Sequence, residues 1–286
     1  MAIVLGPNRY GKAEVRLVRV VRDGETHSIA DLNVGIALSG SLQDTHYTGD
    51  NSDVLPTDTM KNTVYAFARE HGVGEPEEFA LRLGRHFVAT NGKIDTARVT
   101  ISSYGWDRLG PHSFQRSGAH TRECAVTVSA EHAQVVSGVS GLVLLNSTAS
   151  EFHGFVKDRY TTLPETGDRI LATRVDARWR HLGPATDFAA SFAGATDALI
   201  AAFVNTYSHS LQQTLYAMGT MVLANRPEIA EVRLALPNKH HYLVDLSPFG
   251  LDNPQEVFVA GDRPYGLIEG TVTRDDAPPA TAEWYR

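Results

Sequence analysis

Residues 14–38 read EVRLVRVVRDGETHSIADLNVGIAL, and two apolar alternations meet there across a turn. Val15 and Leu17 alternate with Glu14 and Arg16 before the turn; Leu32, Val34, Ile36 and Leu38 alternate with other residues after it. A period of two sends successive side chains to opposite faces, which marks half-buried strands, and Asp23-Gly24 is a hairpin-turn pair. Strands joined by a short turn run antiparallel. This stretch therefore predicts an antiparallel sheet with one covered face, and asks what covers it.

The next segments answer. Met60, Val64 and Phe67 fall on one helical face. So do Phe79, Leu83 and Phe87, with Pro76-Glu77 as a start signal and Asn91-Gly92 as a stop. Strand signals return at Val99–Ile101 and at Cys124, Val126 and Val128. The second half repeats the order. Residues 141–145 and 169–175 read as strands. Phe192, Ala195, Leu199 and Phe203 make one helical stripe, and Leu211, Leu215, Met218 and Val222 another, closed by Pro227. Val232, Leu234 and Leu236, then Tyr242, Val244 and Leu246, then residues 266–273 resume the strands. The pattern is strand, strand, helix, helix, strand, strand, twice. It predicts an α+β fold in which each half is an antiparallel sheet with its helices on one face. The boundary falls near 136–140, giving domains 1–138 and 139–286; the tail after about 275, rich in Asp, Pro and Ala, is expected to be poorly ordered.

Bulk properties narrow the function. A chain of 286 residues suggests two domains at roughly 150 residues each. A net charge of −7 argues against a nucleic-acid surface, which usually shows as a basic domain or stripe. The single cysteine, Cys124, rules out an intrachain disulfide and a cysteine-rich metal site. No apolar run approaches the roughly 20 residues that span a bilayer. The start is too polar for a signal peptide, and the C-terminal residues 283–286 are not a peroxisomal address, so a cytoplasmic location is expected.

The usual cofactor and metal signatures, such as a phosphate-binding glycine loop, a dinucleotide fingerprint or His-Glu-x-x-His, do not appear. His240-His241 resembles a metal pair, but neighbours on a strand point to opposite faces and could not share an ion. Polar and special residues instead gather in five places: Tyr10-Gly11-Lys12; Pro56-Thr57-Asp58-Thr59; Ser150 to Arg169; Ser210-Leu211-Gln212-Gln213; and Pro237-Asn238-Lys239-His240. Each has a bland reading. Lys12 reads as a surface lysine, Phe152 as a core residue. Thr57 or Asp58 reads as a helix cap, which also leaves N–H donors free to hold an anion. Pro237 confines its strand to an edge or a bulge.

Together these segments resemble the urate oxidase (uricase) family of bacterial type, which has the tunnelling fold (T-fold). The likeness runs from about Gly6 to Thr273. Its most specific pieces are Ser150-Glu151-Phe152-His153-Gly154-Phe155, Tyr160-Thr161-Thr162-Leu163 and Pro237-Asn238-Lys239-His240. One departure is Gly167, where relatives usually carry a larger residue; its position suggests a looser Arg169. The resemblance implies two tandem T-fold domains and a cofactor-free, metal-free oxidase of urate, making 5-hydroxyisourate and hydrogen peroxide. It implies a homotetramer whose sites lie between subunits, without nucleic acid or membrane. It assigns Arg169 and Gln212 to the substrate edge, Phe152 to its face and Leu211 to a backbone contact. Asn238 and Thr57 would hold dioxygen or water, Lys12 with Thr57 and His240 would move protons, and Thr57 and Asp58 would come from a neighbouring subunit.

Simple chemistry agrees. Urate is a flat anion with urea-like edges. A guanidinium fork donates two parallel hydrogen bonds to it, a glutamine amide both donates and accepts, and a phenyl ring stacks beneath. Ionised urate is itself electron-rich, so the protein need supply only position, proton transfer and electrostatics. Two other readings share the fold: a T-fold enzyme that hydrolyses or isomerises a pterin or purine, and a non-catalytic purine-binding tetramer.

Overall fold

The structure is a computed structural model that describes residues 2–261, 263–280 and 284. Most of the C-terminal tetrapeptide read for a targeting address lies outside the described residues. The chain divides into two compact units: residues up to Gly138 with Trp179–Phe192 and the end from Pro278, and Val139–Arg178 with Ala193–Ala277.

In the first unit, β1 (Tyr10–Asp23) and β2 (Thr26–Gly40) form the expected hairpin, with Gly24 at φ +63° in the left-handed position of its turn. Then come a short helix α1 (Gln43–Tyr47), helices α2 (Thr57–Glu70) and α3 (Pro76–Thr90), and strands β3 (Ile94–Arg108) and β4 (Phe114–Ser129). All pairings in the order β1-β2-β3-β4 are antiparallel. Val34, Leu38, Val64, Phe79, Leu83 and Val126 share one core and are fully buried, so the period-two and period-3.6 faces meet as predicted.

The second unit takes most of β5 (Ala133–Asn146), β6 (Leu171–His181) and α4 (Phe188–Asn205), then α5 (Leu211–Asn225), β7 (Ile229–Pro237) and β10 (Leu267–Thr273). Between the last two stands an added ribbon, β8 (His240–Leu243) with β9 (Phe258–Gly261). The strand order is β5-β6-β7-β10, and β7 and β10 are antiparallel. Helix α5 sits close on β10: a Cβ on Gly219 would come within 2.5 Å of the Val272 side chain, so only glycine permits that approach.

Four local expectations need correction. Neither Thr57 nor Asp58 caps α2: Pro56 holds the N-cap position, no side chain caps the helix, and Asp58 bonds Lys61 and Asn62 from within the first turn. Strand β7 is not at an edge, because Pro237 is its last residue and removes no interior hydrogen bond. Val244 and Leu246 lie beyond β8, where the side chain of Asn253 bonds the backbone of Val244 and Val257 and a 3-10 turn follows at Ser247–Phe249. Finally, α4 is, by length and hydropathy alone, long and apolar enough to cross a membrane. Its Ala195, Leu199 and Phe203 are buried, and polar Ser191, Thr196 and Asp197 interrupt it, which marks a core helix.

Candidate active site

In the second unit, short backbone ladders draw together the two ends of the long β5–β6 connection and the turn between α4 and α5. Ser208 donates to Ala149 O at 3.0 Å, and Glu151 donates to Ser208 O at 2.8 Å. Phe152 exchanges a pair of bonds with Thr166, and Arg169 N donates to Ser150 O at 2.8 Å. Beneath them Ser150, Ser208 and Thr214 are fully buried, with Thr214 Oγ donating to Ser208 Oγ at 2.8 Å. Small hydroxyls satisfy each other there in space that a larger polar group would not share.

This lattice fixes the chemistry above it. The Phe152 ring stacks on Phe155 with centroids 5.0 Å apart and planes 15° from parallel. The guanidinium of Arg169 lies over the Phe152 ring, and its Nε donates to Ser150 Oγ at 3.4 Å. Burial draws the Arg169 pKa down from its ordinary value. Ser210 caps α5 by accepting from Gln213 N at 3.2 Å, while Gln213 Oε1 accepts from His209 N at 2.8 Å. The two bonds form a variant of the capping box and set Leu211 buried and Gln212 exposed in the first turn.

Asn238 joins from another direction. Its N–H donates to Gly266 O, Lys239 N donates to Ala172 O, both at 2.8 Å, and Thr173 Oγ donates to Pro237 O at 3.0 Å. The segment is thereby tied to the strand that starts just after Arg169. His240 follows, partly buried and stacked on Tyr242. Burial, then the charge of Arg169, then that of His241, hold the His240 imidazole pKa below its usual value, which favours the neutral ring.

The first unit carries Lys12, Thr57 and Asp58. Lys12 sits at the head of β1, just before a bulge where Ala13 and Glu14 together face Gly35 of β2. Thr57 opens α2. The hydrogen bond and charge of Lys61 hold the Asp58 carboxyl pKa below its usual value, and Lys12 adds a smaller attraction. Tyr10, whose phenol pKa is raised by burial, accepts from Leu55 N at 3.0 Å and so ties β1 to the turn before Thr57. Tyr10, Ser150 and Glu151 were quoted in sequence as motif members without a role of their own, and Ser208 was not singled out at all. Gly167 is flanked by open space, and the Arg169 backbone beside it is pinned to Ser150, so the missing side chain leaves that arginine in place.

Two antiparallel α+β halves, with a ring, a guanidinium and a helix-start amide gathered on one loop lattice, define a tandem tunnelling-fold protein. A sequence profile described as Uricase matches residues 8–127 and 135–269, and the chain belongs to that family. It is 51% identical over 275 residues to a uricase of Arthrobacter globiformis, covering 96% of this chain and 91% of that protein. It is 39% identical to a uricase of Dictyostelium discoideum, over 93% of this chain and 96% of the other. The crystal structure of the Arthrobacter globiformis uricase superposes over the full length of both chains, with a TM-score of 0.97 at 49% identity. A Bacillus sp. TB-90 urate oxidase reaches 0.82 at 22% identity, which speaks for the fold alone.

Proposed function

We propose that this chain oxidises urate: urate, dioxygen and water give 5-hydroxyisourate and hydrogen peroxide without a bound cofactor. The observation that carries the reading is the fixed group of Arg169 over Phe152, with a low-pKa His240 that responds to Arg169. A flat anion suits it: stacked on Phe152, forked by Arg169, and met at its other edge by the Gln212 amide and the Leu211 backbone. Ionised urate supplies both electrons that reduce dioxygen to peroxide, and water supplies the new hydroxyl oxygen. The side chains then need only hold dioxygen and water near Asn238 and Thr57 and pass protons among Lys12, Thr57 and His240.

In this reading the working unit is a homotetramer, and Lys12, Thr57 and Asp58 of one subunit complete the half-site of a neighbour. The test is oxygen uptake and peroxide release by purified protein stripped with a chelator. Equal amounts of oxygen consumed and peroxide released, at a rate unchanged by chelation, support the reading. A rate that needs added metal or flavin, or no reaction with urate, refutes it.

A further inference from the structure

Glu151 precedes the ring residue Phe152, and its carboxylate bonds both its own segment and the turn before α5. Three side chains converge on it. The Tyr207 hydroxyl donates to Oε2 at 3.0 Å, His153 Nε2 lies 3.0 Å from Oε1, and His209 Nδ1 bonds the same Oε1. The carboxylate is 14% exposed, and the two imidazoles are 54% and 63% exposed. Tyr207 and His209 flank Ser208, whose backbone pairs with Ala149 and Glu151, and His209 immediately precedes the cap that sets Leu211 and Gln212. One carboxylate therefore joins the strand of the stacking ring to the entry of the helix that carries the substrate-facing amide.

We infer that Glu151 is a positioning residue that clamps the Phe152 segment to the start of α5, through His209 and Tyr207. The inference rests on the urate reading above for its kinetic test. Among the described residues no group of three His, Cys, Asp or Glu is arranged to hold a metal ion. The acceptor here is a carboxylate, and a charge-assisted hydrogen bond is roughly twice as strong as a neutral one, so each donor adds to the clamp.

The other charges nearby are few. His153 also feels Glu165, which is paired with Lys157 at 3.1 Å, and Tyr207 feels Asp168, which accepts from Thr148. The His209 bond, then the Tyr207 bond, with smaller attraction from His153, hold the Glu151 pKa below the usual carboxylate range. The clamp is thus lost on the acid side only below that range. Phe152 and Gln212 meet the substrate in its ground state, so loosening their spacing should raise KM more than it lowers kcat.

The experiment compares the full-length protein with Glu151→Gln, Glu151→Asp and His209→Ala, measuring urate kinetics from about pH 6 to pH 9 and hydrogen exchange of segments 148–153 and 206–213. Glu151→Gln should raise KM roughly fivefold, the weight of one ordinary hydrogen bond, with kcat within about twofold. Glu151→Asp should recover part of the loss, and both segments should exchange faster in the Gln variant. A KM that Glu151→Gln leaves unchanged, in an active parent, overturns the inference and leaves the urate reading standing. Equal loss in kcat and KM at every pH also overturns it, because that marks a general lesion. If the parent does not oxidise urate, the urate reading fails and the exchange arm alone decides: unaltered protection of both segments overturns the clamp.

Discussion

The guanidinium carbon of Arg169 lies 5.2 Å from the centre of the Phe152 ring. The two groups come from opposite ends of the long β5–β6 connection, and each is held by main-chain bonds: Phe152 to Thr166, Arg169 to Ser150. In the urate reading a flat anion would meet here a cation and a stacking ring whose spacing is already set, so little ordering would be left to the moment of binding.

The same logic governs Lys12 through its neighbour Gly11. A Cβ on Gly11 would lie 1.8 Å from Ile36 O and 2.9 Å from Ala37 Cα, both backbone atoms of β2 that cannot swing aside. Gly11→Ala must therefore push β1 off its register and carry Lys12 with it. We expect about 1–3 kcal/mol of destabilisation, as for overpacking, together with a marked fall in turnover. Gly167→Ala is the control: open space surrounds that position, so stability should be unchanged or up to about 1 kcal/mol higher. Thermal unfolding and urate kinetics of the two variants check this, and equal effects from both would show the contact at Gly11 to be harmless.

His240 sets an expected pH dependence. Burial first, then the charges of Arg169 and His241, depress its pKa, so the neutral imidazole persists to lower pH than in an ordinary histidine. A proton acceptor works only while neutral; its contribution is present above its pKa in the site and is lost as pH falls through it. The acid limb of kcat should therefore have its midpoint below about 6.5, the ordinary imidazole value. His240→Gln should remove that limb. A midpoint above the ordinary value, or a limb unmoved by the substitution, would show that another group controls the rate.

The sheets and helices were legible in the sequence because Leu32 to Leu38, Phe79 to Phe87 and Leu211 to Val222 each repeat at one period and bury one face. What escaped it came from contacts that no period records. The β8–β9 ribbon depends on Asn253 reaching two backbone groups at once. The N-cap position of α2 falls on Pro56, and Asp58 lies inside the first turn, engaged by Lys61 and Asn62. Site residues were visible as motif members, whereas the buried Ser208 and Thr214 look like ordinary polar residues of a turn and a helix start until the β5–β6 connection closes over them.

Thr57 and Arg169 lie in different units of the chain, and the tetramer reading assigns them to the same site in different subunits. Thr57→Ala and Arg169→Ala homotetramers should each be nearly inactive. Mixed tetramers of the two should regain measurable activity, because some sites would pair two intact halves. Verified mixed tetramers with no activity above the parents' residual rates would place the whole site within one chain.

Arg169 itself gives the most demanding test. If it were a surface cation paired with a nearby acid, its loss would cost about 0–1 kcal/mol. It is instead half-buried over Phe152, and its backbone is locked to Ser150. As the anchor of an enclosed anion its removal should cost on the order of 3–5 kcal/mol, roughly two to four decades in affinity. Arg169→Lys should rescue little, since an ammonium keeps the charge but cannot form the fork or lie flat on the ring. Gln212→Ala should cost less, about 0.5–1.5 kcal/mol, because its amide is neutral and reaches the ligand from an exposed helix turn. Removing Arg169 also removes one cause of the low His240 pKa, so in Arg169→Ala the His240 imidazole should become easier to protonate, a change that Gln212→Ala should not produce. Calorimetry with a non-reactive urate analogue ranks the three affinities once folding and tetramer size are verified, and titration of the histidine resonances reads the second effect. Binding by Arg169→Ala within about threefold of the parent, well under one decade, would move the anchor elsewhere, with Arg159, Arg174 and Arg178 the next cations to test.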